Sequence, residues 1–107
     1  MKTAAALRRR IRDHSASVAV IGQGYVGLTV AAAAATVGMR VTGIDSDQHR
    51  VARLQLGDNV VPGVNDEVLS LAVETARLRF DTSLDGIRSA DVVLICVPTP
   101  VIEHRPD

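Results

Sequence analysis

The stretch Val18-Ala-Val-Ile-Gly-Gln-Gly-Tyr-Val-Gly-Leu28 decides the fold of this 107-residue chain. Its first four residues are apolar and mostly β-branched, which predicts a buried parallel strand over residues 18–21. The glycine-rich pattern Gly-x-Gly-x-x-Gly follows, and a helix is predicted over residues 25–37 because five consecutive alanines lie there before Gly38. A strand, a glycine turn and a helix in direct succession indicate a βαβ unit.

Strands and helices continue to alternate along the rest of the chain. Apolar runs predict strands over residues 40–44, 78–80 and 91–97, and helical spacing predicts helices over residues 1–14, 47–56 and 83–90. A further helix begins after Asn65 and is expected to bury Val64, Val68, Leu71 and Ala72. With right-handed crossovers, this order predicts an α/β class: a Rossmann-like three-layer domain with a parallel sheet, strand order 3-2-1-4, truncated after strand four.

The charge and the aromatic content argue against a nucleic-acid or membrane partner. Twelve Lys and Arg residues balance twelve Asp and Glu residues, so no net field attracts polyanions. Tyr25 and Phe80 are the only aromatic residues, which are too few for a base-stacking platform. The apolar stretch from Val18 to Met39 follows four arginines, but its clustered glycines are untypical of a signal peptide or a membrane span.

The single cysteine, Cys96, excludes an intramolecular disulfide and a four-cysteine zinc site. A reducing, cytoplasmic setting fits this composition best. We expect Cys96 to be a small buried residue inside the fourth strand, with no catalytic role. The three histidines have no metal-ligand spacing, so no metal site is expected.

The glycine pattern has the context of a dinucleotide fingerprint, because it follows a strand, opens a helix and precedes Asp45 at the end of the second strand. The first glycine permits a tight turn, the second lets a pyrophosphate approach the backbone, and the third lets the helix pack closely on the sheet. Free amides at the helix start then donate to phosphate oxygens. The predicted cofactor-binding residues of this turn are Gly22, Gln23, Gly24, Tyr25, Val26 and Gly27.

Asp45 decides which cofactor is expected. A carboxylate at this position accepts hydrogen bonds from an adenosine ribose and repels a 2′-phosphate, which favours NAD over NADP. The same residue could cap the following helix, although Ser46 or Asp47 can serve that role. Adenosyl-methionine and flavin also bind Rossmann-like domains, but the full fingerprint with an acidic residue at this distance favours a nicotinamide or flavin dinucleotide. The spacing alone does not separate these two.

Three segments together resemble the UDP-glucose/GDP-mannose dehydrogenase family: residues 18–28, Gly43-Ile-Asp-Ser-Asp47 and Ala90-Asp-Val-Val-Leu-Ile-Cys-Val-Pro-Thr-Pro100. The resemblance implies the N-terminal NAD-binding domain of a nucleotide-sugar 6-dehydrogenase. Such enzymes oxidise a sugar C6 alcohol to a carboxylate in two hydride transfers to NAD. By this resemblance, Val26 lies at the pyrophosphate and Asp45 holds the adenosine ribose. Arg50 clamps the adenosine end, and Thr99 touches the cofactor.

The resemblance also bears on domains and partners. Residues 1–16 are expected to be an N-terminal helical extension, and residues 17–107 a partial NAD-binding Rossmann domain. The family's catalytic residues lie beyond this stretch, so we expect the chain alone to be inactive and to meet a UDP-sugar only through a further C-terminal part. The run His104-Arg-Pro-Asp107 is similar to the UDP-N-acetylhexosamine 6-dehydrogenase subgroup. The alternatives are a non-catalytic dinucleotide-binding or scaffold module, or the NAD-binding half of another oxidoreductase, such as a hydroxyacid dehydrogenase.

The fourth strand is expected to be an exposed edge of the sheet. The residues from Val92 to Val97 are uncharged and mostly β-branched, which makes an unprotected edge prone to pairing with another chain. We expect self-association through this edge unless the helix over residues 1–14 covers it.

Overall fold

A parallel sheet organises the molecule. In this computed structural model, which describes residues 3–97, the strands are β1 (Ser17–Ile21), β2 (Arg40–Ile44), β3 (Leu78–Asp81) and β4 (Val92–Ile95). Their order is β3-β2-β1-β4, and each pair is parallel. The predicted α/β class and the predicted strand order are therefore confirmed, and the carboxyl ends of all four strands lie along one edge.

Helices cover both faces of the sheet unequally. The helices are α1 (Ala4–Arg12), α2 (Tyr25–Thr36), α3 (Gln48–Gln55), α4 (Asp66–Glu74) and a 3-10 helix (Leu84–Ser89). Helix α2 packs on β1, β2 and α4. The 3-10 helix lies on the opposite face, because its Gly86 approaches the side chain of Thr42, whereas the neighbouring Val41 belongs to the core.

The hydrophobic core lies between the sheet and α2, α3 and α4. Alanines of α2 let this helix sit close to the strands, and larger side chains fill the space around them. The fully buried members include Val20, Leu28, Ala31, Leu54 and Leu69. Each large aliphatic side chain removed from water contributes about 1.5–3 kcal/mol to folding.

Four local predictions need correction. The helix predicted over residues 1–14 ends at Arg12, and the segment over residues 83–90 forms a 3-10 helix. Strand β4 ends at Ile95, so Cys96 lies after the strand and is only half-buried. Leu71 is 57% exposed, and Leu69 is buried instead. Leu69 and Ala72 are three residues apart and share the inner face of α4, whereas Leu71 lies about 200° around the helix from Leu69.

A buried carboxylate attaches α1 to the sheet. Asp91 has a fully buried side chain whose Oδ2 lies 3.2 Å from the Arg10 guanidinium and accepts a 2.8 Å hydrogen bond from the Ser17 amide. This anchor lies at the amino ends of β1 and β4. It leaves β4 uncovered, since Val93 and Ile95 remain 37% and 71% exposed. The N-terminal helix therefore does not cover this edge among the described residues, so the condition named for protecting it is not met.

Within residues 3–97, none of the helices combines the length and the apolar character needed to cross a membrane.

Candidate functional site

A cleft of about 750 Å³ opens at the carboxyl ends of the strands. The point between β1 and β4, where the strand order reverses, is the position at which open α/β sheets bind ligands. Each strand supplies residues just past its end, and the lining consists of Ile21, Gly22, Gly24, Ile44, Asp45, Ser46, Arg50, Thr82, Leu84 and Val97.

Two glycines of the turn are required by close backbone contacts. Gly22 has a φ of +95°, and a Cβ placed on it would lie 2.8 Å from the carbonyl oxygen of Cys96. A Cβ on Gly27 would collide with the carbonyl oxygen of Gly22. These contacts bring the start of α2 against β1 and β4, as the sequence pattern predicts for the first and third glycines.

Gly24 has the opposite environment. A Cβ built on it meets nothing within 4 Å in the described part of the chain apart from its sequence neighbours, and this position borders the open cleft. Gly24 is also the N-cap of α2 and has no side chain to bond the first amides of the helix. No side chain caps the amides of Tyr25 and Val26 within residues 3–97, and these amides with the positive end of the helix dipole are suited to an anion. The turn therefore fits a pyrophosphate.

Gln23 supports the turn from beneath. Its side chain is fully buried, and its Nε2 donates to the carbonyl oxygens of Val20, at 2.9 Å, and Gly22, at 3.0 Å. Its Oε1 has no hydrogen-bond partner between residues 3 and 97, and it would lie only 2.5 Å from a Cβ on Gly43. The predicted cofactor contact of Gln23 is thus limited to its backbone, because the side chain points away from the cleft.

Asp45 follows β2 and lies directly beside the glycine turn, at the same wall of the cleft. Its Oδ2 accepts a 2.7 Å hydrogen bond from the Gln23 amide, and its Oδ1 accepts a 2.9 Å bond from the Asp47 amide. Because each carboxylate oxygen has two lone pairs, one position on each oxygen remains for a further donor. Two adjacent acceptor positions match the two hydroxyls of a ribose.

Arg50 projects from α3 towards the same carboxylate. Its Nη1 lies 3.6 Å from Asp45 Oδ2, and its side chain is 36% exposed along the cleft. The structure therefore brings Arg50 and Asp45 together at one wall of the cleft, and their roles towards a cofactor stay predictions. The helix is capped by Asp47 and not by Asp45, since Asp47 accepts from the Arg50 amide at 3.0 Å. That hydrogen bond also lowers the pKa of Asp47 below its ordinary value.

Three of the predicted cofactor-binding residues remain: Tyr25, Val26 and Thr99. Val26 is 59% exposed at the start of α2, and Tyr25 turns its ring towards Gly63 of the loop before α4. Thr99 lies outside the described residues. The sequence reasoning missed the cleft residues Ser46, Thr82, Leu84 and Val97. The signal was available, since each follows a strand whose carboxyl end faces the cleft.

The open glycine turn, the free helix amides and the carboxylate at the end of β2 define a dinucleotide-binding Rossmann domain. The family model described as "UDP-glucose/GDP-mannose dehydrogenase family, NAD binding domain" matches residues 16–107. The chain belongs to this family as its NAD-binding domain, which confirms the resemblance and the expected cofactor. Family members are NAD-dependent oxidoreductases.

Similar proteins include dehydrogenases of UDP-glucose and of UDP-N-acetyl-D-mannosamine. UDP-glucose 6-dehydrogenase of Pseudomonas aeruginosa is 44% identical over 84 residues, which are 76% of this chain and 18% of that protein. UDP-N-acetyl-D-mannosamine dehydrogenase of Escherichia coli is 40% identical over 94 residues, or 86% and 22% of the two chains. The structure of a UDP-glucose dehydrogenase from Pyrobaculum islandicum has a TM-score of 0.77 at 36% identity and covers 85% of this chain and 22% of that one. The chain therefore spans about a fifth of the length of these relatives.

Proposed function

We propose that this chain is the cofactor-binding part of a nucleotide-sugar 6-dehydrogenase that oxidises the C6 alcohol of a UDP-sugar with two molecules of NAD. One observation supports the cofactor placement most directly. Asp45, with one acceptor position left on each oxygen, lies beside a glycine turn that has space at Gly24. When bound, NAD supplies the hydride acceptor, and this chain's own residues hold the adenosine and pyrophosphate.

Each side chain has a defined role in this proposal. The amides of Tyr25 and Val26 hold the pyrophosphate, and Asp45 accepts from the adenosine ribose hydroxyls. Arg50 extends along the adenosine end and keeps its charge matched by Asp45. Thr99 contacts the cofactor from beyond β4. We assign no catalytic residue within the chain, and Cys96 packs against Gly27 beneath the helix start.

The substrate assignment rests on the relatives. UDP-glucose and UDP-N-acetyl-D-mannosamine enzymes both match, and the run from His104 to Asp107 favours the N-acetylhexosamine subgroup. We further propose a reducing, cytoplasmic setting, because the sequence has one cysteine and a nicotinamide cofactor is expected there.

A coupled assay tests the proposal. A full-length nucleotide-sugar dehydrogenase that contains this chain as its NAD-binding part is expected to form two NADH for each UDP-sugar consumed, with UDP-N-acetyl-D-mannosamine preferred over UDP-glucose. The purified 107-residue chain is expected to bind NAD and form no NADH. A one-to-one ratio of NADH to sugar, or NADH formation by the short chain, would refute the assignment.

We also propose self-association of the isolated chain through β4. This edge carries Val93, Leu94 and Ile95, which are 37%, 37% and 71% exposed, and no described residue of this edge carries a charge. Unpaired amide and carbonyl groups on an uncharged edge can pair with a second copy.

A further inference from the structure

A second concavity, the arginine groove, lies at the edge of the sheet opposite the cleft. It measures about 440 Å³ and is formed by the first residues of β1, β2 and β3 and by the 3-10 helix. Its polar side chains are Ser17, Arg40, Thr42, Arg77, Arg79 and Ser89. With strands of about five residues, roughly 15 Å separates this edge from the NAD cleft.

The strand register places these groups on one face. Arg40 and Thr42 are two residues apart on β2, so both point to the same side of the sheet. Ser17 is the register partner of Arg40, and Arg79 is the partner of Thr42. This face is the one opposite the core, since Leu78 and Phe80 on either side of Arg79 are buried. Gly86 of the 3-10 helix, whose Cβ would lie 3.5 Å from Thr42 Cγ2, forms one wall.

Among the described residues, the groove arginines have no carboxylate counterion. Arg40 and Arg79 are exposed and make no ion pair or side-chain hydrogen bond with any residue between positions 3 and 97. Arg77 donates one side-chain hydrogen bond, from Nη1 to the carbonyl oxygen of Gly38 at 3.0 Å. The other N–H groups of its guanidinium make no hydrogen bond to a described residue and can donate to a ligand. The carboxylate of Asp91 reaches Ser17, but it is already engaged by Arg10.

We propose that the arginine groove is a second binding site, for a small ligand that carries a di- or polyphosphate group. Three guanidinium groups at the rim of one concavity repel each other, and an anion relieves this repulsion. Guanidinium forks match phosphate oxygens with paired hydrogen bonds, and the hydroxyls of Ser17, Thr42 and Ser89 supply further donors. The volume suits a small molecule, and the position allows the site and the NAD cleft to be occupied together.

Chemical-shift mapping with inorganic pyrophosphate tests the site without relying on the proposed dehydrogenase function. Saturable shifts are expected at the amides of Ser17, Arg40 and Arg79, separately from any at the glycine turn. Orthophosphate is expected to bind more weakly, because it offers fewer charges and oxygens. Shifts confined to the glycine turn, or citrate binding as tightly as pyrophosphate, would overturn the proposal.

Matched arginine variants distinguish specific binding in the arginine groove from general electrostatic attraction. Arg79→Gln and Arg40→Gln should each weaken pyrophosphate binding at least about tenfold, since each removes charge-assisted hydrogen bonds. Arg88→Gln is the control, because Arg88 is exposed on the 3-10 helix and lies outside the groove lining. Arg79→Lys should give an intermediate loss, since lysine keeps the charge without the fork. Equal losses in Arg88→Gln and Arg79→Gln would show that no specific site exists.

Discussion

The Gln23 amide donates to Asp45 Oδ2 across a distance of 2.7 Å, which joins the glycine turn directly to the end of β2. The same carboxylate is thus both a structural acceptor for the turn and the proposed acceptor for the ribose. The buried Gln23 side chain holds the turn from the other side through Val20 and Gly22. Asp45, which is proposed to bind the adenosine ribose, therefore also helps to position the pyrophosphate site.

Replacing Asp45 should change cofactor choice. Asp45→Ala removes charge-assisted acceptors, so NAD binding should weaken by about 1.5–3 kcal/mol. It also releases Arg50, whose guanidinium can then attract the 2′-phosphate of NADP. Calorimetric titration with both cofactors should show the NAD preference reduced or reversed. The double variant Asp45→Ala/Arg50→Ala should lose the NADP gain, and an unchanged NAD preference in either variant would remove Asp45 from the site.

Gly24 and Gly27 should respond oppositely to added bulk. Gly24→Val should leave thermal stability nearly unchanged, because its side chain would project into open space, but should abolish NAD binding. Gly27→Ala should destabilise the fold by several kcal/mol, because its Cβ would meet the Gly22 carbonyl. Melting curves with and without NAD measure both effects. NAD binding by a folded Gly24→Val variant would contradict the proposed path of the pyrophosphate.

The loss of stability caused by a substitution at Gln23 should depend on whether the new side chain keeps a hydrogen-bond donor. Gln23→Met removes the buried side-chain donor to the carbonyl oxygens of Val20 and Gly22 and should cost about 1–3 kcal/mol. Gln23→Glu should cost more, because it places a second acceptor against those oxygens. Urea unfolding measures the free energy of unfolding of each variant and so tests this order. A Gln23→Glu variant as stable as wild type would show that the assigned amide orientation is wrong.

Acid should weaken the cap of α3. The Arg50 amide lowers the pKa of Asp47, so this carboxylate favours the folded state once pH exceeds its unfolded pKa of about 3.9. The contribution is lost as pH falls through the lower folded pKa. Asp47→Asn should keep most of the neutral-pH stability, since asparagine caps equally well, and should show a smaller acid loss. Identical pH–stability curves for wild type and Asp47→Asn would exclude this cap as a source of acid sensitivity.

The β4 edge should control the oligomeric state. The wild-type chain is expected to self-associate as its concentration rises, and Val93→Lys or Ile95→Lys should return it to a monomer, because a charge on an edge strand opposes pairing. Light scattering on a size-exclusion column measures the mass. Leu56→Lys is the control, since Leu56 is 76% exposed at the end of α3, away from this edge. A wild-type monomer at all concentrations, also after deletion of residues 1–14, would show that the edge is harmless.

The sequence predicted the sheet order and the glycine turn because both follow from local chemistry. Short apolar runs, a glycine-rich turn and an acidic residue at a fixed spacing specify a βαβ unit without reference to the rest of the chain. Asn65 was likewise identified as a cap, and it accepts from the Val68 amide at 3.0 Å. The partnership of Gln23 with Val20 and Gly22 could not be read from spacing, because glutamine in a glycine turn is equally compatible with an exposed side chain.

Tertiary context explains the remaining errors. The sequence shows that Leu71 and Leu69 are apolar, but the orientation of α4 against α2 decides which one is buried. Cys96 was placed inside β4 because apolar residues continue to Val97, yet the strand ends where β1 ends. The arginine groove combines residues from three strands and a 3-10 helix, so no local sequence pattern predicts it.

The contact between Cys96 and the glycine turn has a kinetic consequence. The Cys96 amide donates to the Ile21 carbonyl at 2.7 Å, and the Cys96 carbonyl faces Gly22. Strand β1 pairs with residues 23 positions away in β2 but 74 positions away in β4. Because closing the longer loop costs more entropy, the β1–β2–β3 unit is expected to form before β4 docks. The chain would then become able to bind NAD only at the last step of folding. In a stopped-flow refolding experiment, NAD binding should appear later than helix formation.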